Sequence, residues 1–337
     1  MTIGTASTLF AGVRGARVII WAVEILLTGA SGFVGSALLP ELLRGGHTVR
    51  AMTRDEARLR VAGVRGVKAV RADAVSGEGL ERAMRGVEVA YYLIHSMEPS
   101  PGRVPFAERE QLAAQNFAAA ARVAGVRRIV YLGGLVPRWE QGDAGRRSGR
   151  SRHLDSREAV EGVLMAAVPD SLALRASIVI GARSRSFRLL VRLVERMPVL
   201  TLPAWQRFRT QPIDERDVIA MLAAALTTPI AGEVLEVGGP DVLTYGEMLE
   251  RIADAMILGR PPLRLRVTMT GIAGRVAAAI ADERPELVVP LMEGLQGDLL
   301  PREDHAAERL GVRLHDFDSA VGHALAEWER VEPLAAR

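Results

Sequence analysis

The sequence contains no cysteine, which excludes disulfides, thiolate nucleophiles and metal sites built on sulfur. Its absence leaves the redox compartment open, with an intracellular protein the simplest assumption. Lysine is nearly absent as well. Lys68 is the only one among 43 basic residues, so a mechanism that needs a neutralisable lysine has a single candidate in the chain. No run of 18 apolar residues occurs, and no membrane span is expected. An excess of one charge is also lacking. The 43 basic side chains face 40 acidic ones, a net charge of +3, which is too little to argue for a nucleic-acid partner. No metal site and no internal repeat of fixed period is expected. What remains is a globular composition, 49% hydrophobic and 25% charged over 337 residues, long enough for one large α/β domain or two smaller ones.

The rest of the chain is organised around Glu24 to Gly35, which reads EILLTGASGFVG. An apolar run ends in Thr28, glycines follow at 29, 32 and 35, and helix-compatible residues come next. This is the order of a buried strand, a tight turn and a helix start. Such a turn cradles a dinucleotide pyrophosphate. One glycine supplies positive φ, a second lets the backbone approach the phosphates, and a third lets the helix pack on the strand. The helix N-terminus then offers unpaired N–H groups and its positive dipole end.

Ahead of the cradle, residues 1–22 read as an extension, disordered or an overlong start. Its apolar patch, Val18 to Val23, runs straight into the first strand, so a signal-peptide cleavage site would fall inside or against that strand. Secretion is therefore not expected, and a cytoplasmic location is. Beyond the cradle the chain alternates helix and strand. Helix Phe33 to Arg44 closes on Gly45 and Gly46 despite Pro40. Strands are expected at Thr48 to Thr53, Val67 to Ala72, Val87 to Ile94, Arg128 to Leu132 and Ser171 to Ile180, with long helices at about 107–124 and 154–167. Six such units specify an α/β fold, a Rossmann-like, doubly wound and mainly parallel sheet over residues 23–181. Residues 182–337 read as a smaller, mostly helical cap, interleaved with the sheet and closing over a substrate. It includes a further strand at Glu233 to Val237 and a capping box formed by Thr244 and Glu247.

The carboxyl ends of the strands mark the binding crevice. The acidic residue that holds the ribose hydroxyls of NAD is expected near the end of the second strand. There the chain reads Thr53 and Arg54, with Asp55 only afterwards, and an arginine suits a 2′-phosphate. NADP(H) is therefore favoured and NAD(H) remains possible. Asp73 ends the third strand, and His95 and Ser96 follow the fourth. The segment Gly133 to Arg152 holds five glycines, five arginines and two acids. It reads as a solvated mobile loop, or as one that draws an anionic substrate inward.

The sequence resembles the extended and atypical short-chain dehydrogenase/reductases, in particular their NmrA-like NAD(P)H-binding branch. The matching stretches are TGASGFVG at 28–35, RAD at 71–73, RRIVYLGG at 127–134, LRASIVIG at 174–181, QPIDERDV at 211–218 and EVGGPDVLTYGEM at 236–248. The resemblance implies that Gly29, Ser31, Gly32, Phe33, Val34 and Gly35 hold the pyrophosphate and Arg54 the 2′-phosphate. It places the adenine at Asp73 and Ala74, and lines the far side of the cofactor with Leu93 to His95.

Active members of the family use a tyrosine, a lysine four residues later, and a serine or threonine after the fifth strand. No Tyr-xxx-Lys occurs in this chain. The corresponding segment places His153 at the tyrosine position, Arg157 at the lysine position, and Gly133 and Gly134 at the serine. His153 is the candidate proton donor, with a surface histidine at a helix start as the competing reading, and His95 or Tyr92 is the alternative acid. Arg157 retains the hydrogen bonds to the nicotinamide ribose but not the neutralisable charge. The expected function is an NADPH-dependent oxidoreductase acting on a small carbonyl-type molecule. The competing expectation is a non-catalytic NADP(H) sensor or assembly subunit, and the C-terminal helices leave an oligomer possible.

Overall fold

The computed structural model describes residues 22–61, 67–94, 106–136, 152–265, 280, 297–303 and 305–334. The first half alternates strand and helix throughout. It runs β1 (Glu24–Leu27), α1 (Phe33–Arg44), β2 (Thr48–Thr53), α2 (Glu56–Val61), β3 (Lys68–Arg71) and α3 (Leu80–Met84). It continues through β4 (Val89–Tyr92), α4 (Phe106–Ala124), β5 (Arg128–Gly134), α5 (Arg152–Ala167) and β6 (Leu172–Ala176). The second half begins with β7 (Val179–Ile180), α6 (Arg185–Arg196), β8 (Leu200–Leu202), β9 (Arg209–Thr210), β10 (Ile213–Asp214) and α7 (Glu215–Ala224). It closes with β11 (Glu233–Val237), β12 (Leu243–Thr244), α8 (Tyr245–Ala255), β13 (Pro262–Arg264), α9 (Ala306–Arg309) and α10 (Phe317–Glu329).

Seven strands form one sheet in the order β11-β6-β5-β4-β1-β2-β3, and every pairing in it is parallel. The continuous apolar run of β1 follows from burial on both faces. Ile25 and Leu27 pack with α1 and α7, and Leu26 packs with α3, α4 and α5. The chain leaves β1 toward β2 and β3 and returns to β4 on the other side of β1. The switch of direction, and with it the crevice of a doubly wound sheet, lies between the carboxyl ends of β1 and β4.

Two expectations are corrected. The apolar stretch expected as one strand from Ser171 to Ile180 is divided. Its first part joins the main sheet, the Ser177 N–H donates to the Val237 carbonyl at 3.0 Å, and Val179–Ile180 pairs with β10 in a separate two-stranded ladder. The fifth strand is longer than expected and includes Gly133 and Gly134.

The two halves of the chain are interleaved. β11 supplies the outer strand of the sheet, and α7 lies against α1. The second half also has its own core between α6, α8 and α10. Arg188 and Arg192 sit 4.3 and 5.1 Å from the centre of the Trp328 ring, a cation–π arrangement that fastens α10 to α6.

At the amino-terminal end of β5, Arg128 joins the halves again. It donates from Nε to the Asp170 carbonyl at 2.9 Å, from Nη1 to those of Ala225 and Thr228 at 2.8 Å each, and from Nη2 to that of Ile230 at 3.0 Å. The side chain is buried, and these carbonyls provide the partners that a buried guanidinium needs. Among the described residues no helix is long and apolar enough to cross a membrane.

Candidate functional site

The crevice starts at Thr28. This buried side chain donates to the Tyr91 carbonyl at 2.9 Å and accepts from the Leu93 N–H at 2.8 Å. The bond pair ties the end of β1 to the end of β4 and brings the Leu93 carbonyl against Gly29. Gly29 has φ +66°, and a Cβ there would lie 2.7 Å from that carbonyl oxygen. A Cβ on Gly35 would overlap the Gly29 carbonyl oxygen and lie 2.7 Å from its carbon. Both positions therefore exclude a side chain for steric reasons. Gly32 caps α1 with an extended backbone and no side-chain capping bond, and no acid occupies the first turn. The opening N–H groups of α1, at Phe33 and Val34, are therefore left to an anion. These residues fit a dinucleotide pyrophosphate, with Ser31 in the same turn.

The neighbouring strand ends lie on the same rim of the sheet. Arg54 is exposed after β2. The turn that carries it is held by Thr53, whose hydroxyl accepts from the Asp55 N–H at 3.1 Å and donates to its carbonyl at 2.8 Å. Asp73 follows β3 and accepts from the Val75 N–H at 2.8 Å. Ala74 is buried beside it. Asn116, on α4, donates to the Ala74 and Val75 carbonyls at 3.0 and 2.9 Å and so fixes this turn, a role its sequence position does not reveal.

On the other side of the crevice, Arg157 reaches the end of β5. Its Nη2 donates to the Leu132 carbonyl at 3.1 Å, and its guanidinium lies by Gly134 and by the Tyr131 hydroxyl. A small pocket here is bounded by Tyr131, Gly133, Gly134, Arg157, Glu161 and Arg175. Arg175 and Glu161 pair through two hydrogen bonds, at 2.8 and 2.6 Å. Burial pushes the Tyr131 phenol up from its ordinary value, while the Arg157 charge pulls it down. His153 belongs to the first turn of α5, and its side chain lies outside the described residues, as does His95 altogether. Tyr92 is a core side chain, 4.9 Å from the Phe117 ring centre. Burial, and then the Glu110 carboxylate, raise its phenol above its ordinary value.

A glycine cradle at the carboxyl end of β1, in a doubly wound parallel sheet, defines a Rossmann-type dinucleotide-binding protein. Residues 29–165 match the profile of a family described as NAD(P)H-binding. A ceramide reductase of Caulobacter vibrioides (strain NA1000 / CB15N) is 29% identical over 261 residues, 77% of each chain. The mitochondrial NADH dehydrogenase (ubiquinone) 1 alpha subcomplex subunit 9 of Arabidopsis thaliana is 26% identical over 251 residues, 71% of this chain and 60% of that one. Among solved structures, the UDP-glucuronic acid 4-epimerase of Bacillus cereus, with UDP-glucuronic acid and NAD, superposes with TM-score 0.67 at 17% identity, covering 92% of this chain and 100% of that one. A nucleoside-diphosphate-sugar epimerase of Staphylococcus aureus gives 0.68 at 15%, covering 89% and 100%. The match over residues 29–165 is to an NAD(P)H-binding domain, and the solved structures share the fold of the chain.

Proposed function

We propose that the protein is an NADPH-dependent reductase of a small carbonyl-type substrate, from the NmrA-like branch, with His153 as proton donor in place of the missing tyrosine. The observation that carries this reading is a sterically complete phosphate cradle with Arg157 fixed at the end of β5 on the same rim. When bound, NADPH supplies a hydride to the substrate carbon. The protein must then give the carbonyl oxygen a proton and hold the charge that develops there. An imidazole in the first turn of α5 titrates near neutrality and suits the first task. Arg157 is four residues later, on the same helical face, and its permanent positive charge suits the second task and the ribose hydroxyls. His95 is the alternative donor. The likeness to a ceramide reductase supports reductase chemistry and puts a ceramide-type carbonyl first in any substrate panel. Arg54 supports NADP(H) over NAD(H) through a charge-assisted pair with the 2′-phosphate.

A second reading, a non-catalytic NADP(H) sensor or assembly subunit, is favoured by the absent Tyr-xxx-Lys motif and by the likeness to a respiratory-complex subunit. Single-turnover oxidation of NADPH across a carbonyl panel separates the two. Wild-type turnover that falls by about 100-fold or more in His153→Phe, with NADPH affinity retained, is the expected result. Tight NADPH binding with no turnover in the wild type would favour the sensor. Arg54→Ala should raise the Kd for NADPH by about 10- to 100-fold, the value of a charged phosphate contact, and leave NADH nearly unchanged. Equal losses for both cofactors would refute the 2′-phosphate role.

A further inference from the structure

Glu215 opens α7, and its carboxylate leans over Gly181, the residue after β7. A Cβ on Gly181 would overlap Glu215 Oε2 and lie 2.8 Å from Phe33 Cζ, so the carboxylate and the Phe33 ring crowd one backbone carbon. Phe33 is the first residue of α1, whose N–H groups form the phosphate cradle. From the same side, Arg183 Nη1 donates to Ser36 Oγ on α1 at 2.6 Å. The second half of the chain thus sets one carboxylate beside the Phe33 ring and one guanidinium on Ser36, both residues of the first turn of the cradle helix. Asp214, next to Glu215, is held by Arg216 at 3.0 and 2.6 Å and caps α7 through the Arg216 N–H. No hydrogen bond or ion pair holds Glu215 among the described residues.

We propose that Glu215 is a proton-linked member of the dinucleotide site, neutral when the pyrophosphate is bound, so that binding takes up a proton and the cofactor is held more weakly as pH rises. This rests on the reading of the cradle as a dinucleotide site. A pyrophosphate over the α1 N-terminus is permanently anionic, and an ionised carboxylate beside the Phe33 ring of that turn repels it. The groups facing Glu215 favour its neutral form. Burial is the main cause, followed by the carboxylates of Glu327 on α10 and Asp214 at the α7 N-cap, while Arg183 opposes them and α1 contributes only the uncharged Phe33 and Ser36. Together they push Glu215 up to about 7 in the free protein. An added anion moves it further in the same direction, so the free protein is mostly ionised at pH 7.5 while the complex is mostly neutral. Linkage makes that difference a loss of affinity as pH rises.

The test is titration calorimetry of the full chain with NADPH and with NADH, which lacks the titratable 2′-phosphate, in two buffers of different ionisation heat. The expected result is proton uptake at pH 7.5 and a Kd that rises by about five- to tenfold between pH 6.5 and 8.5 for both cofactors. Glu215→Gln should bind NADH without proton uptake and keep its low-pH affinity at pH 8.5. NADH binding without uptake in the wild type would overturn the proposal even if the variant failed to fold. The same uptake and pH slope in a folded Glu215→Gln would overturn it too. Binding of neither cofactor at any pH would instead remove the dinucleotide reading, and this proposal with it.

Discussion

Arg128→Ala should lower the unfolding free energy by about 3–5 kcal/mol, the cost of stripping partners from several buried groups at once. The carbonyls of Asp170, Ala225, Thr228 and Ile230 share this one guanidinium, and alanine replaces none of the bonds. Burial, and then the neighbouring positive charge of Arg127, push the Arg128 guanidinium below its ordinary range, yet arginine keeps its charge under all ordinary conditions. A lysine in its place brings the charge without the fork and should recover less than half of the loss. Urea unfolding followed by circular dichroism reads the midpoint directly. An Arg128→Ala midpoint equal to that of the wild type would mean that the carbonyls are satisfied without this side chain.

Gly35→Ala should abolish the cradle while leaving most of the sheet intact. The added methyl group meets backbone, the Gly29 carbonyl, rather than the end of a flexible side chain. Relief therefore requires α1 to move away from β1, and the N–H groups that would face the phosphates move with it. Loss of those charge-assisted bonds should weaken NADPH binding by about 10- to 100-fold. The overpacking itself should cost about 1–3 kcal/mol of stability. Gly46→Ala is the control at the far end of the same helix. Its Cβ would meet nothing within 4 Å, and only its φ of +77° opposes the change. NADPH affinity should survive there, and a Gly35→Ala protein with wild-type affinity would sink the steric account of the cradle.

The parts of the site that were legible in the sequence are those where chemistry and spacing coincide. The glycines at 29, 32 and 35 follow an apolar run, and the order of strand, turn and helix is local. Arg54 is placed by counting from that turn, and Asp73 by the end of the third strand. Other residues were invisible because their partners are distant in the chain. Arg128 reads as one more arginine in RRIV, and only the fold brings it to carbonyls at 170, 225, 228 and 230. Glu215 reads as an ordinary acid in the first turn of a helix, yet its significance comes from contact with Gly181 and Phe33. The division of the stretch 171–180 was hidden for another reason. Apolar residues continue through it, and hydrophobicity does not record which strand each half pairs with.

The interleaving of the halves constrains how the protein is made. The β6 edge stays uncovered until β11 has been synthesised, and α1 lacks its α7 neighbour until the chain has passed residue 224. A nascent chain paused before that point presents an unpaired parallel-strand edge, the kind of surface that templates aggregation. The cofactor domain is therefore completed only once β11 has been made, well after its signature motif has left the ribosome.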